Sequence, residues 1–190
     1  DVSAWAHDLE FSDLSPEVID CVKRECLDFV ALALAGSSGR GVGETGKAGI
    51  APVISFVEAH QGTATVIGTR LTSSPQYAAL ANGTFEHALN LHDMHRPSVP
   101  THIAPSVFAS AFAVSQMVKV DFPMFATATT IGFQLTARLA MALQPGKGSV
   151  ETVPANSLGA AIEVAKLLGL NQQQMSDSLG IATYLTCGAA

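Results

Sequence analysis

Four of the six histidines, His87, His92, His95 and His102, fall within sixteen residues, HALNLHDMHRPSVPTH. Asn90, Asp93 and Arg96 lie in the same stretch. Histidine titrates near neutrality and can take or give a proton at that pH. A carboxylate beside it can orient the ring, and a guanidinium can pair with a carboxylate of a substrate. The stretch therefore predicts a proton-transfer site. Two other uses of the same residues compete with it. His92, Asp93, His95 and His102 could hold a metal ion, but the HxxH spacing lacks a defined third ligand, so no metal is expected. The histidines could also simply solvate a loop.

Such groups need rigid elements on both sides. Ser15-Pro16-Glu17 reads as a helix start: a serine cap, a proline in the first turn and an acid near the positive end. Apolar residues then recur with helical spacing from Val18 to Ala33, and Gly36 is a stop. The run 37–46, SSGRGVGETG, lacks the GK[ST] of a phosphate-binding loop and predicts a flexible connector. A short helix over 47–60 and an extended segment over 63–68 follow. Ser74-Pro75 opens a helix to about Leu91, which delivers the chain into the histidine-rich loop. Beyond the loop, helices are predicted over 104–118 and 123–143, with Asp121 capping the second. Two more are predicted over 155–168 and 171–186, with Asn171 as a cap. Helices 104–118 and 123–143 are apolar on most faces, which places them at the centre of a bundle. The fold class is all-α, a single helical domain over 1–190.

Composition narrows the function further. Of the 190 residues, 48% are hydrophobic and only 14% charged, against roughly 25% charged in an ordinary globular domain. Disorder is excluded, because a disordered chain has the opposite balance. The net charge is −6 and no cluster of basic residues occurs. Nucleic acid and anionic membrane surfaces are therefore excluded as partners. No run is apolar enough for a membrane span. Cys21, Cys26 and Cys187 show no metal-type spacing and read as reduced thiols, the first two as small apolar residues. No leader pattern opens the sequence, and a cytoplasmic protein is expected. Scarce charge also predicts a covered surface, against a second copy or another polypeptide.

The stretch ALANGTFEHALNLHD, residues 79–93, resembles the "ANG…aHaLDfDD" signature of the MmgE/PrpD family. GTATVIG at 62–68, THIAPSVFASAFAV at 101–114 and LGAAIEVAKLLGLNQQQMSDSLGIA at 158–182 fit the same family in the same order. That family includes 2-methylcitrate dehydratase, cis-aconitate decarboxylase and iminodisuccinate epimerase. The resemblance implies a large all-α domain, of which this chain is the N-terminal portion, without the smaller lid domain. It also implies dimers, no metal or organic cofactor, and a small di- or tricarboxylate whose C–H proton next to a carboxylate is moved.

By the same resemblance His102 matches the active-site histidine and is the expected acid or base, with Asp93 as its orienting neighbour. Asn90, His95 and Arg96 are expected to line the substrate. Asn90 stands where the family has the first Asp of its acidic motif, His92 replaces the next acid, and Met94 stands where decarboxylase-like members have Thr. The family's second histidine, in an HPT motif, has Val150 in its place. The absent lid with its substrate-binding lysines points to a fragment, a shortened paralogue or one piece of a split enzyme, and the missing acid and second histidine point to an altered reaction. The expected activity is that of a lyase or isomerase; the alternative is a non-catalytic helical subunit of such an assembly.

Overall fold

The computed structural model describes residues 1–39, 43–98, 101–142 and 152–186. Among these are eight α-helices and one two-stranded sheet. Helix α1 is Val2–Asp8, and a 3₁₀ turn, Phe11–Asp13, leads into α2, Pro16–Ser37. Helix α3, Gly43–Glu58, is followed by strands β1, Gln61–Thr65, and β2, Thr72–Ser73. Then come α4, Pro75–His87; α5, Ala104–Val118; α6, Phe122–Ala142; α7, Thr152–Leu167; and α8, Gln172–Thr186. No helix among the described residues is long and apolar enough to cross a membrane.

The helix ends follow the expected chemistry. Ser15 Oγ accepts from Val18 N–H, Asp121 Oδ1 from Met124 N–H and Asn171 Oδ1 from Gln174 N–H. The Gln174 side chain reaches back to Asn171 N–H, so this cap is reciprocal. Three boundaries differ from the sequence expectation. Helix α3 begins at Gly43, so part of the glycine-rich run is helical; residues 40–42 lie outside the described residues. Helix α4 ends at His87 and not near Leu91, because Asn90 takes a left-handed backbone with φ 56° and turns the chain out of the helix. The extended segment starts earlier, at Gln61, and Val66 and Leu71 close the turn to β2 with a 3.1 Å backbone bond.

Helix α5 sits in the middle, packed by α4, α7, α6, α2 and β1. Phe108 on α5 lies 5.8 Å from Phe29 of α2, 6.2 Å from Phe125 and 5.4 Å from Phe133 of α6, ring centre to ring centre. This aromatic cluster is the heart of the larger core. A smaller core of Ala6, Ile131, Leu135, Ile162, Ala165 and Met175 joins α1, α6, α7 and α8. The near absence of charge on α5 is thus explained by burial within the chain itself. Large apolar residues are exposed at Leu27 and Leu34 of α2, at Met117 in the last turn of α5, and at Ile181, Tyr184 and Leu185 of α8.

Asn82 and Gly83 carry packing. Buried Asn82 accepts from Ile67 N–H at 2.8 Å and donates to the Thr65 carbonyl at 3.0 Å, which ties the hairpin to α4. Gly83 faces α5 so closely that a Cβ there would stand 2.6 Å from the Pro105 carbonyl oxygen. The α4–α5 spacing, and with it the distance from His87 to His102, depends on that missing methyl group. Gly83→Ala should destabilise the fold by roughly 1–3 kcal/mol, the usual cost of overpacking. Gly180→Ala, in the exposed interior of α8 with nothing within 4 Å, should instead stabilise it by roughly 0.5–1 kcal/mol. Urea melts of the two variants check both signs.

Candidate active site

The loop between α4 and α5 is held at both ends by backbone chemistry. Ile103 begins α5 without a capping side chain of its own. The Asp93 carboxylate supplies the cap from ten residues away, accepting from Ile103 N–H and Ala104 N–H, each at 3.0 Å. Its charge also meets the positive end of the helix. The Asp93 carbonyl takes a hydrogen bond from His102 Nδ1 at 2.6 Å. A carbonyl can only accept, so Nδ1 carries the proton and Nε2 keeps a free lone pair. Asn156 of α7 donates to the His102 carbonyl at 3.1 Å and fixes the backbone beneath the ring. Asp93 therefore orients His102 through its main chain, while its carboxylate holds the helix. Burial pushes the Asp93 carboxyl up from its ordinary range, against the two N–H groups and His102, which pull it down.

Three imidazoles meet here. His87 and His92 stack with centroids 3.9 Å apart and planes 15° apart. His92 stands edge-on to His102, again at 3.9 Å, with planes 87° apart. Burial, with His87 and His102 as further causes, pushes His92 down to about 4. Burial, then His102, lowers His87 as well. Beneath them lies Glu86, fully buried, with no hydrogen-bond partner for either carboxylate oxygen among the described residues. Burial, reinforced by the charges of Asp93 and Asp28, pushes Glu86 up to about 8. Its place in the last turn of α4, near the negative end of the helix, acts in the same direction.

Ligand atoms of Glu86, His87 and His92 lie within 4.8 Å of one another. The ring planes argue against a shared cation. A ring nitrogen's lone pair lies in its ring plane, and a cation in the plane of His87 would face the flat side of His92.

A cleft of about 490 Å³ opens beside the stack. It is walled by Cys21, Glu25 and Asp28 of α2, by loop residues 91–95, and by Phe133 and Gln134 of α6, among others. Of the residues predicted from the sequence, Asp93 and His95 border this cleft. His95 also closes its own loop, bonding Ser98 Oγ through Nδ1 at 2.9 Å and the Thr101 carbonyl through its N–H at 2.9 Å. His102 lies next to His92, which does border the cleft. Asn90 and Arg96 are exposed and lie outside the cleft wall. Cys21, expected as a packed apolar residue, is exposed at the cleft, and Cys26 is half-buried. Val150, the place of the family's second histidine, and Cys187 lie outside the described residues.

Glu86 is the residue that sequence reasoning missed. The available signal was an acid directly before His87, on the helix face that should be apolar. Glu163 of α7 was missed too. It is fully buried, bonded to Ser110 Oγ at 3.1 Å, and held by burial well above the usual carboxylate range.

A family profile described as MmgE/PrpD N-terminal domain matches residues 1–190. A cis-aconitate decarboxylase of Aspergillus terreus is 29% identical over 201 residues, covering 99% of this chain and 39% of that protein. The cis-aconitate decarboxylase-like protein oryM of Aspergillus oryzae (strain ATCC 42149 / RIB 40) is 31% identical over 189 residues, covering 94% of this chain and 38% of that protein. The chain thus spans about two fifths of the length of these relatives.

The buried acids make stability depend on pH. An unfolded glutamate ionises near ~4.3, whereas folded Glu86 does so at about 8. The folded chain holds the proton longer, so this contribution is complete below ~4.3 and is lost as pH rises through about 8. His92 acts oppositely: its neutral form favours the fold above ~6.5, and that is lost as pH falls toward about 4. Glu86→Gln removes only the first effect. Wild type should lose more stability than Glu86→Gln between about pH 5 and about pH 8, by a few kcal/mol. Urea melts at the two pH values check this.

Asp93→Ala should cost roughly 1–2 kcal/mol in the same assay, the cost of a lost helix cap.

Proposed function

Because the chain belongs to the MmgE/PrpD family, we propose that it serves a lyase or isomerase that moves a proton next to a carboxylate of a small di- or tricarboxylic acid. The observation that carries this is His102, whose Nδ1 is committed to the Asp93 carbonyl at 2.6 Å, leaving Nε2 as a base. Nε2 takes the acidic C–H proton, and the electron pair of that bond moves toward the adjacent carboxylate. Return of the proton to another carbon gives an isomer, and loss of hydroxide gives a dehydration. In the decarboxylation direction the protonated ring gives its proton to carbon as the C–CO₂ bond breaks. Asp93 is the positioning partner. Asn90, His95 and Arg96 are the proposed substrate contacts, and cis-aconitate, which the relatives' names print, is the first substrate to try.

No described residue of the cleft wall is Lys or Arg, while Glu25, Asp28 and Asp93 all border it. An anionic substrate therefore needs cations from outside the cleft: Arg96, which is exposed, and a covering partner. The exposed apolar residues of α2 and α8 support such a partner, a second copy of the chain or a further polypeptide carrying a lid. The acid-lined cleft also favours a second reading, a non-catalytic helical subunit of a MmgE/PrpD-like assembly. Reaction steps here need no metal or organic cofactor, and the cytoplasm is the expected compartment.

His102→Ala should lower kcat by ~10²–10⁴-fold with little change in fold. His7 and His60 are controls: His7 bonds Asp8, and His60 packs on Phe56 and Tyr77, both away from the histidine stack. Their replacement should leave turnover nearly unchanged. Proton exchange of cis-aconitate and related acids in heavy water, with the full-length protein, is the measurement. Exchange at the wild-type rate in His102→Ala rejects the assignment, and no exchange by wild type with any di- or tricarboxylate favours the non-catalytic subunit.

A further inference from the structure

We propose that Asn156 is a positioning residue for His102: its bond to the His102 main chain holds the ring in the pose and the tautomer that the reaction needs. The proposal rests on the reaction assigned above and extends the site from the loop to α7. His102 stands where the loop meets α5. The first carbonyl that the helix uses is that of Ile103, which accepts from Ser106 N–H and Val107 N–H. The His102 carbonyl lies just outside that ladder. Among the described residues its hydrogen-bond partner is Asn156 Nδ2, at 3.1 Å.

The peptide plane between His102 and Ile103 is thereby held at both ends. Its N–H donates to Asp93 Oδ2 at 3.0 Å, and its C=O accepts from Asn156. The peptide is rigid, so neither group can turn without the other. The ring bond from Nδ1 to the Asp93 carbonyl sits directly beside this plane. Both Asp93 bonds belong to the loop and move with it, whereas the Asn156 bond ties His102 to another helix of the bundle. The fold alone gives Asn156 little reason to be there. Asparagine is a poor residue for a helix interior. Its Oδ1 is buried with no partner among the described residues, which is costly for an amide. Local breaches of this kind collect at functional sites.

The seat of α7 sets the reach of this short amide. Asn156, Gly159 and Glu163 follow one another at i, i+3 and i+7, which is one face of the helix. Gly159 lets α7 approach α6 so closely that a Cβ there would stand 2.7 Å from the Gly132 carbonyl oxygen. Glu163 bonds Ser110 of α5 at 3.1 Å. Two polar contacts therefore join α7 to the segment 102–110, one on each side of the Gly159 seat. Asn156 does not border the cleft, so it acts through His102 and not on a substrate.

Two measurements on the full-length protein test the tether. Asn156→Leu fills a similar volume without a donor, and Asn156→Ala removes the side chain. The first measurement needs no substrate. With nitrogen-15-labelled histidine, nitrogen–proton couplings read the tautomer of neutral His102. Wild type should carry the proton on Nδ1, and both variants should show a mixture with the Nε2–H form. Asn171→Ala, which removes the cap of α8, lowers stability away from the tether and should keep the wild-type tautomer. The wild-type tautomer in Asn156→Leu, or a mixture in Asn171→Ala, overturns the proposal. So does failure of both Asn156 variants to fold, which assigns the residue to stability alone. Wild type without the Nδ1–H form rejects the base assignment of His102 and the tether with it. The second measurement is turnover of cis-aconitate. In Asn156→Leu kcat should fall by roughly 10–10²-fold while KM stays within about twofold, the signature of a misplaced base. An unchanged kcat, or a change confined to KM, overturns the proposal. Wild type without turnover of any di- or tricarboxylate rejects the reaction and leaves the tautomer measurement to decide the tether.

Discussion

The double hydrogen bond from Asp93 to the first N–H groups of α5 is the constraint on which the rest of the site depends. It joins the loop after α4 to the start of the central helix, and so sets where His92, His95 and His102 stand. A helix start buried in a bundle has N–H groups that need partners. Ile103 cannot supply one, and Pro105 in the first turn removes one donor. A carboxylate brought back from the loop meets the remaining need, and its own carbonyl is then in place for His102. One residue thus fixes a helix end and a ring tautomer. The tight Gly83–Pro105 approach holds the other side, by keeping α4 and its His87 against α5.

Much of the fold was legible because its signals are local. Caps at Ser15, Asp121 and Asn171 and the apolar character of α5 and α6 need no knowledge of the partner helix. Boundaries that depend on one backbone conformation were less legible. Asn90 ends α4 through a left-handed φ, a choice that asparagine permits but does not announce. The site was legible as a cluster of residue types, not as contacts. His102 and Asp93 were found together, yet their bond runs through a carbonyl, which every residue has and no sequence pattern marks. The stack of His87, His92 and His102 is a tertiary event of the same kind. Glu86 and Glu163 were illegible for the opposite reason: acids are normally solvated, so burial is the last expectation for either.

These two acids show how a chain this poor in charge handles the carboxyl groups it buries. Neither is paired with Lys or Arg in an ion pair among the described residues. Glu163 rests on Ser110 and lies against Gly132, where a Cβ would stand 2.6 Å from its Oε2. Glu86 has no such bond. Desolvation favours the neutral form of both, which turns an electrostatic penalty into a pH-dependent one. The difference between them is access. Glu163 is enclosed between α5, α6 and α7, whereas Glu86 has two imidazoles beside it, and one belongs to a residue of the cleft wall.

The two acids also differ in their neighbours. Among the described residues, the hydrogen-bonding neighbour of the Glu163 carboxyl is the Ser110 hydroxyl. Glu86 instead has the rings of His87 and His92 beside it, with ligand atoms within 4.8 Å of its own. The cleft's three carboxylates act on the imidazoles beside them in a definite sense. Glu25, Asp28 and Asp93 favour positive charge nearby, so they stabilise a protonated imidazole at the moment it exists. They oppose a substrate carboxylate by the same field. A wall of this sign is thus suited to protonated histidine and unsuited to holding an anion alone. Under the proposed function, the cations for an anionic substrate would come from outside this wall, with exposed Arg96 as one candidate.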